Sequence, residues 1–181
     1  MNQLAQINIR NTGETISGFA EVSAFLDKQG VLYEHWDTNQ LPSHLQDKFN
    51  LSDADKEEIL SSFNGDITRL AGARGYVKWD VIALSDSTPD LDALLKKFEQ
   101  VHTHTEDEVR AIAAGSGIFV IKGSDDVGYF DVVLEAGDVI SVPENNPHFF
   151  TLTSERKVVA VRLFIDPSGW VAHQFADPAF S

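Results

Sequence analysis

The sequence predicts an all-β-dominated fold, a β-barrel with additional N-terminal helices, and three observations predict it. After Gln100 the chain breaks into short runs rich in β-branched and aromatic residues (EVRAIA, GIFVI, YFDVVLE, DVISV, HFFTLT, VVAVRLFI and WVAHQF), separated by Gly, Asp, Asn and Pro. Before Gln100, helix and strand patterns mix, so the helices belong on the N-terminal side. The length of 181 residues, 43% of them hydrophobic with 12 Phe and 3 Trp, suits one ordinary domain with a sizeable core. We therefore expect a single domain over 1–181, in which a helix-and-strand part (about 1–100) packs on a barrel core (about 101–175).

Element by element, residues 31–37 (VLYEHWD) read as a short strand. Ser52-Asp53-Ala54-Asp55 has the form of a capping box, and Ile59, Phe63, Ile67 and Leu70 follow at helical spacing, which predicts one helix over roughly 53–71 that ends near Gly72 and Gly75. Residues 76–84 (YVKWDVIAL) are β-rich. Thr88 as N-cap with Pro89 at the first helical position opens a second amphipathic helix, marked by Leu91, Leu94, Leu95 and Phe98.

Charge and composition narrow the function classes. With 14 Lys+Arg against 28 Asp+Glu, the net charge of −14 repels nucleic-acid phosphates and anionic membrane surfaces. The absence of Cys removes disulfides, thiolate nucleophiles and Cys-type zinc or iron–sulfur sites, and is compatible with a reducing compartment. The first residues lack a leader pattern and no apolar run is long enough to span a membrane, so a cytoplasmic location and a soluble monomer are expected.

The run Val101-His102-Thr103-His104-Thr105-Glu106-Asp107-Glu108-Val109-Arg110 carries the chemistry. Side chains alternate faces in an extended chain, so His102 and His104 share a face, as do Glu108 and Arg110. A fourth ligand must come from elsewhere. His148, after the turn-rich Pro143-Glu144-Asn145-Asn146-Pro147, is favoured over His173. Three imidazoles and a carboxylate suit a divalent first-row metal (Fe, Ni, Mn, Co or Zn), with two positions left over if the geometry is octahedral. The competing readings are a salt-bridged Arg110 and surface histidines. Phe98, Phe149, Phe150 and Trp170 are candidates for an apolar pocket wall, with Phe98 and Trp170 preferred.

The spacing His102-x-His104-x-x-x-Glu108 followed by Gly115 resembles the first cupin motif, and Gly137 to Pro143 and His148 resembles the second. Lys96, Asn145 and Leu152 depart from those motifs at turn or strand-end positions and leave every ligand position intact. A narrower resemblance covers about residues 16 to 175: GYVKWDVI at 75–82, HTHTEDEVR at 102–110, SVPENNPHFF at 141–150 and the segment from Arg162-Leu163-Phe164 to Gly169-Trp170-Val171-Ala172 look like the bacterial acireductone dioxygenase family of methionine salvage.

That resemblance implies a cupin (jelly-roll) barrel and one Fe(II) or Ni(II) per chain on His102, His104, Glu108 and His148. The implied substrates are acireductone, a dihydroxy-keto-methylthiopentene, and O2. The iron form would yield the keto acid precursor of methionine plus formate, and the nickel form methylthiopropionate, formate and carbon monoxide. It further implies that Arg110 generates the substrate dianion, Asp107 transmits local conformational change and Val101 assists metal incorporation. The rivals are another cupin dioxygenase or decarboxylase, and a non-enzymatic ligand-binding cupin.

Overall fold

The computed structural model describes residues 6–46, 48–86, 88–98, 102–103, 108–123, 127–143, 146–164 and 173–174. Its N-terminal part runs β1 (Gln6–Ile9), β2 (Thr15–Ile16), α1 (Phe19–Lys28), β3 (Leu32–His35), two single-turn helices, α2 (Asp53–Ser62), α3 (Asn64–Arg74), β4 (Lys78–Leu84) and α4 (Leu91–Phe98). The remainder is β5 (His102–Thr103), β6 (Glu108–Lys122), β7 (Tyr129–Glu135), β8 (Asp138–Val142), β9 (His148–Thr151), β10 (Val158–Phe164) and β11 (His173–Gln174).

Strand β6 is shared by two sheets. Its first half pairs with β10 and β8, and beyond these lie β4 and β3, giving the order β4-β10-β6-β8-β3. Its second half pairs with β9 and β7 in the order β11-β5-β9-β6-β7-β1-β2. The inner faces of both sheets enclose one apolar core, built from Ile7, Ile112, Phe119, Ile121, Phe130, Val132, Leu134, Ile140, Val142 and Ala160 among others. A second core lies outside the barrel wall, where Val81, Val109, Ala111, Val139, Val161 and Leu163 meet Ile59, Phe63, Ile67 and Leu70 of α2 and α3. The β4-β10-β6-β8 wall is therefore largely apolar on both faces, which is why Val139-Ile140 of β8 and Val158-Val159-Ala160-Val161 of β10 read as apolar runs with no alternation.

One strand can serve two sheets because of a β-bulge. Val159 pairs with Ala114 while the next residue, Ala160, pairs with Ile112, so Ala113 is an extra residue on β6. Before the bulge the even-numbered positions face inward, and after it the odd-numbered Phe119 and Ile121 do. Gly115 follows directly with φ +75, and a Cβ there would collide with the Lys157 carbonyl, which instead accepts the Ser116 N–H at 3.1 Å.

Several expectations are met and several are corrected. The capping box is present: Asp55 N–H donates to Ser52 Oγ and Ser52 N–H to Asp55 Oδ2. Lys48 and the Ser52 amide together hold the Asp55 carboxyl down at about 2. The helix expected over 53–71 is two helices, bent at Phe63 (φ −103, ψ 13) ahead of the weak helix formers Asn64 and Gly65, and the bend lets Ile59, Phe63 and Ile67 all reach the barrel wall. The second helix begins at Leu91 and not at Pro89, because Thr88 closes a turn on Ser85, with its hydroxyl accepting the Ser85 N–H and its own N–H donating to the Ser85 carbonyl. EVRAIA and GIFVI are one strand. The N-terminal part does more than pack on the barrel: β1, β3 and β4 are hydrogen-bonded into its sheets, and β1 and β2 were not foreseen.

Glu135, near the buried Asp138 and the Glu155 carboxylate, is pushed above the usual carboxylate range, first by burial and then by these two charges. A raised carboxyl pKa means that ionisation costs the fold stability at neutral pH, a cost that disappears as pH falls through the folded-state value. Glu135→Gln is therefore expected to raise the melting temperature at pH 7 and to leave it unchanged near pH 3, checked by thermal unfolding across that range.

Candidate metal centre

The centre is assembled where β5, β9 and the start of β6 converge. His148 opens β9 and is 1% exposed. It sits in a cross-sheet row, Gln174, His102, His148, Ile121, Phe130 and Ile9, each paired with the next in antiparallel register. Ile121, Phe130 and Ile9 belong to the inner core, which places His148 on the inner face of the barrel. Its ring lies 6.1 Å from Phe119, and Phe119 in turn is 5.1 Å from Phe150.

The orientation of His148 is set by main chain. Nδ1 lies 2.8 Å from the Asn146 carbonyl, an acceptor that requires Nδ1 to carry a proton, so that in the neutral ring the lone pair falls on Nε2. This is the neutral tautomer that a metal-binding imidazole needs. Asn146 is itself held by its side-chain amide, which donates to the carbonyls of Lys122 and Pro147 at 3.2 and 3.3 Å.

The register also sets the two downstream histidines apart. His102 stands directly opposite His148, and Gln174 stands opposite His102, whereas His173 stands opposite Thr103 and so lies off this row. Glu108 begins β6 opposite Val142. Val101, His104, Asp107 and Trp170 lie outside the described residues, as do the side chains of Phe98, His102 and Glu108; Phe98 closes α4. Among the described residues no three His, Cys, Asp or Glu side chains gather as a metal cluster, since most of the expected set falls outside them.

Arg110 occupies an inner position of the other sheet, two residues along β6 from Glu108. Its Nη1 donates to the carbonyl of Val109 at 3.0 Å. Its row reads Tyr33, Ile140, Arg110, Arg162 and Asp80 across β3, β8, β6, β10 and β4. Arg162 grips Asp80 with a two-pronged fork, Nε to Oδ1 at 2.7 Å and Nη2 to Oδ2 at 2.6 Å. Sequence reasoning passed over both residues. The signal was an arginine interrupting the apolar run VVAVRLF, and an aspartate interrupting KWDVIAL at the inward parity.

Of the four aromatic pocket candidates, Phe149 points the other way: it packs outside the barrel with Val120 and Tyr129, beneath the Arg10 guanidinium at 5.9 Å. Phe150 faces inward, and its ring sits where a Cβ on Gly117 would stand. No helix among the described residues is long and apolar enough to cross a membrane.

Replacing His148 with Ala is expected to abolish stoichiometric metal binding, while His173→Ala retains it, as measured by elemental analysis of the purified variants.

With this geometry in place, the chain can be set beside known proteins. The ARD/ARD' family profile matches residues 7–172. An acireductone dioxygenase of Geobacillus kaustophilus (strain HTA426) is 66% identical over 174 residues, covering 96% of this chain and 97% of that protein. One from Exiguobacterium sibiricum is 49% identical and covers 97% of each. Among solved structures, the acireductone dioxygenase from Bacillus anthracis, described with a cadmium ion in its active centre, superposes with a TM-score of 0.91 at 49% identity, covering 95% of this chain and 99% of that one. Sequence and overall architecture agree over nearly the whole of both chains, and the chain belongs to the ARD/ARD' family, with a cupin-type barrel.

Proposed function

We propose that this chain is an acireductone dioxygenase, a metal-dependent oxidoreductase that cleaves acireductone with O2 in methionine salvage. The observation that carries the reading is the row that sets His102 opposite an inward, tautomer-fixed His148 at the end of the barrel from which Glu108 and Arg110 enter β6. Identity of 66% to the Geobacillus acireductone dioxygenase over nearly the whole of both chains supports the substrate assignment.

In this reading His102, His104, Glu108 and His148 hold one Fe(II) or Ni(II). The donor set fits such an ion, being three imidazoles and a carboxylate, with the described imidazole already in the ligating tautomer. When bound, the metal supplies Lewis acidity that lowers the proton affinity of the enediol oxygens.

The protein's own contribution is electrostatic and steric. Acireductone is an enediol conjugated to a ketone and reacts with O2 once deprotonated, so the residues around it must favour the dianion. Arg110 brings a permanent cation with forked donors to the inner face, matched to an anionic enediolate oxygen. The Val109 carbonyl bond restrains its guanidinium, reducing what must be ordered when substrate binds. Phe119 and Phe150 form an apolar wall beside His148 that excludes water and suits a methylthio tail, with Phe98 and Trp170 completing the pocket. Asp107 would transmit local conformational change, and Val101 would assist metal incorporation. The chain acts as a cytoplasmic monomer in this account, with residues 1–181 forming one cupin domain.

Two outcomes test it. Apo-protein reconstituted anaerobically with Fe(II) and then given acireductone and O2 is expected to release the keto acid and formate. With Ni(II) it is expected to release methylthiopropionate, formate and carbon monoxide, with products identified by mass spectrometry and a carbon monoxide assay. Consumption no faster than with free metal would refute the assignment. Arg110→Ala is expected to lower turnover by about 100-fold or more, the scale of losing a charged stabiliser of a developing anion, while metal content stays stoichiometric.

A further inference from the structure

Two members of the Arg110 row, Arg162 and Asp80, have no part in the scheme above. Inner positions of β10 and β4 run apolar through Val158, Ala160, Leu84 and Ile82, after which Arg162 and Asp80 stand side by side, the exposed Lys78 ends the same face of β4, and the next strand in the Arg162 row brings Arg110. Directly opposed residues on antiparallel strands have Cβ atoms about 4.5–5.5 Å apart, and like charges there repel. Arg110 and Arg162 are such a pair. With side-chain exposures of 22% and 36%, the Arg162–Asp80 ion pair is wet enough to add little to global stability.

We propose that Asp80 and Arg162 form a positioning pair for Arg110. The fork through Nε and Nη2 draws the Arg162 guanidinium toward β4 and neutralises it, which leaves the neighbouring place in the row to Arg110. Each member guards against a different fault. Without Asp80, Arg162 loses the carboxylate that draws its fork toward β4, and its charge competes with Arg110 for any anion at the mouth. Without Arg162, the Asp80 carboxylate is released to capture Arg110 and quench the charge that the substrate dianion requires. The inference rests on the role given to Arg110, and it adds a specific sign: the damage from losing Arg162 comes from the carboxylate left behind.

The test is a rescue. In nickel-reconstituted enzyme, Arg162→Met is expected to lower kcat by about 10- to 100-fold, the usual scale for disturbing a partner of a site residue, with metal content unchanged. Adding Asp80→Asn to it is expected to restore most of that loss. A double variant no more active than Arg162→Met overturns the proposal. A readout independent of turnover is the side-chain Nε–H resonance of Arg110 in 15N spectra of the metal-free protein. Arg162→Met, or Arg162→Lys should the former not fold, is expected to shift that resonance, and the double variant to return it toward wild type. An unmoved Arg110 resonance overturns the proposal even where activity falls. If Arg110→Ala alone costs no turnover, the catalytic role of Arg110 fails, and the resonance still decides whether Asp80 and Arg162 position it.

Discussion

Everything at the mouth of this barrel depends on a parity constraint. A strand's side chains alternate with period two, so a strand of fifteen residues that turns the same parity inward along its whole length cannot pass smoothly between two sheets that meet at an angle. The extra residue at Ala113 resolves this by shifting the alternation once, at the crossing point, with the left-handed Gly115 and the Lys157 carbonyl absorbing the bend. Arg110 and Ile112 then face the same interior as Phe119 and Ile121, although their numbers differ in parity. One strand supplies both charged and apolar positions of the barrel interior.

The protein is strongly acidic overall, yet a two-arginine row lines this interior. The net charge of −14 is spread over surface helices and loops, where water screens it. Inside, each charge is answered individually: Arg162 by Asp80, and Asp138 by the Tyr33 hydroxyl at 2.7 Å and the Glu135 amide at 2.8 Å. The interior thus keeps its local sign independent of the sign of the molecule, because low-dielectric walls give nearby charges more weight than distant ones.

How much was legible in the sequence follows from the range of each interaction. Local signals read well: the capping box at Ser52, the strands YFDVVLE and DVISV, and the turn that delivers His148 at the head of a strand. Features set by partners far along the chain did not. The merging of EVRAIA with GIFVI depends on β10, more than forty residues downstream. The ligand run stood out because its histidines and carboxylate are neighbours in sequence, whereas Asp80 and Arg162 become neighbours only through strand pairing. Phe149 and Phe150 look equivalent as letters, and register alone separates the outer from the inner.

The hydrogen bond from His148 to the carbonyl of residue 146 has an evolutionary side. Its acceptor is an atom that every amino acid possesses, so the protonation pattern of this imidazole cannot be erased by exchanging one side chain for another. What can drift is the path of the turn, and that is secured by a separate amide reaching to Lys122 and Pro147. The proton pattern of the ring is thus written into the main chain, and the part left to a side chain is to hold the turn in which that main chain lies.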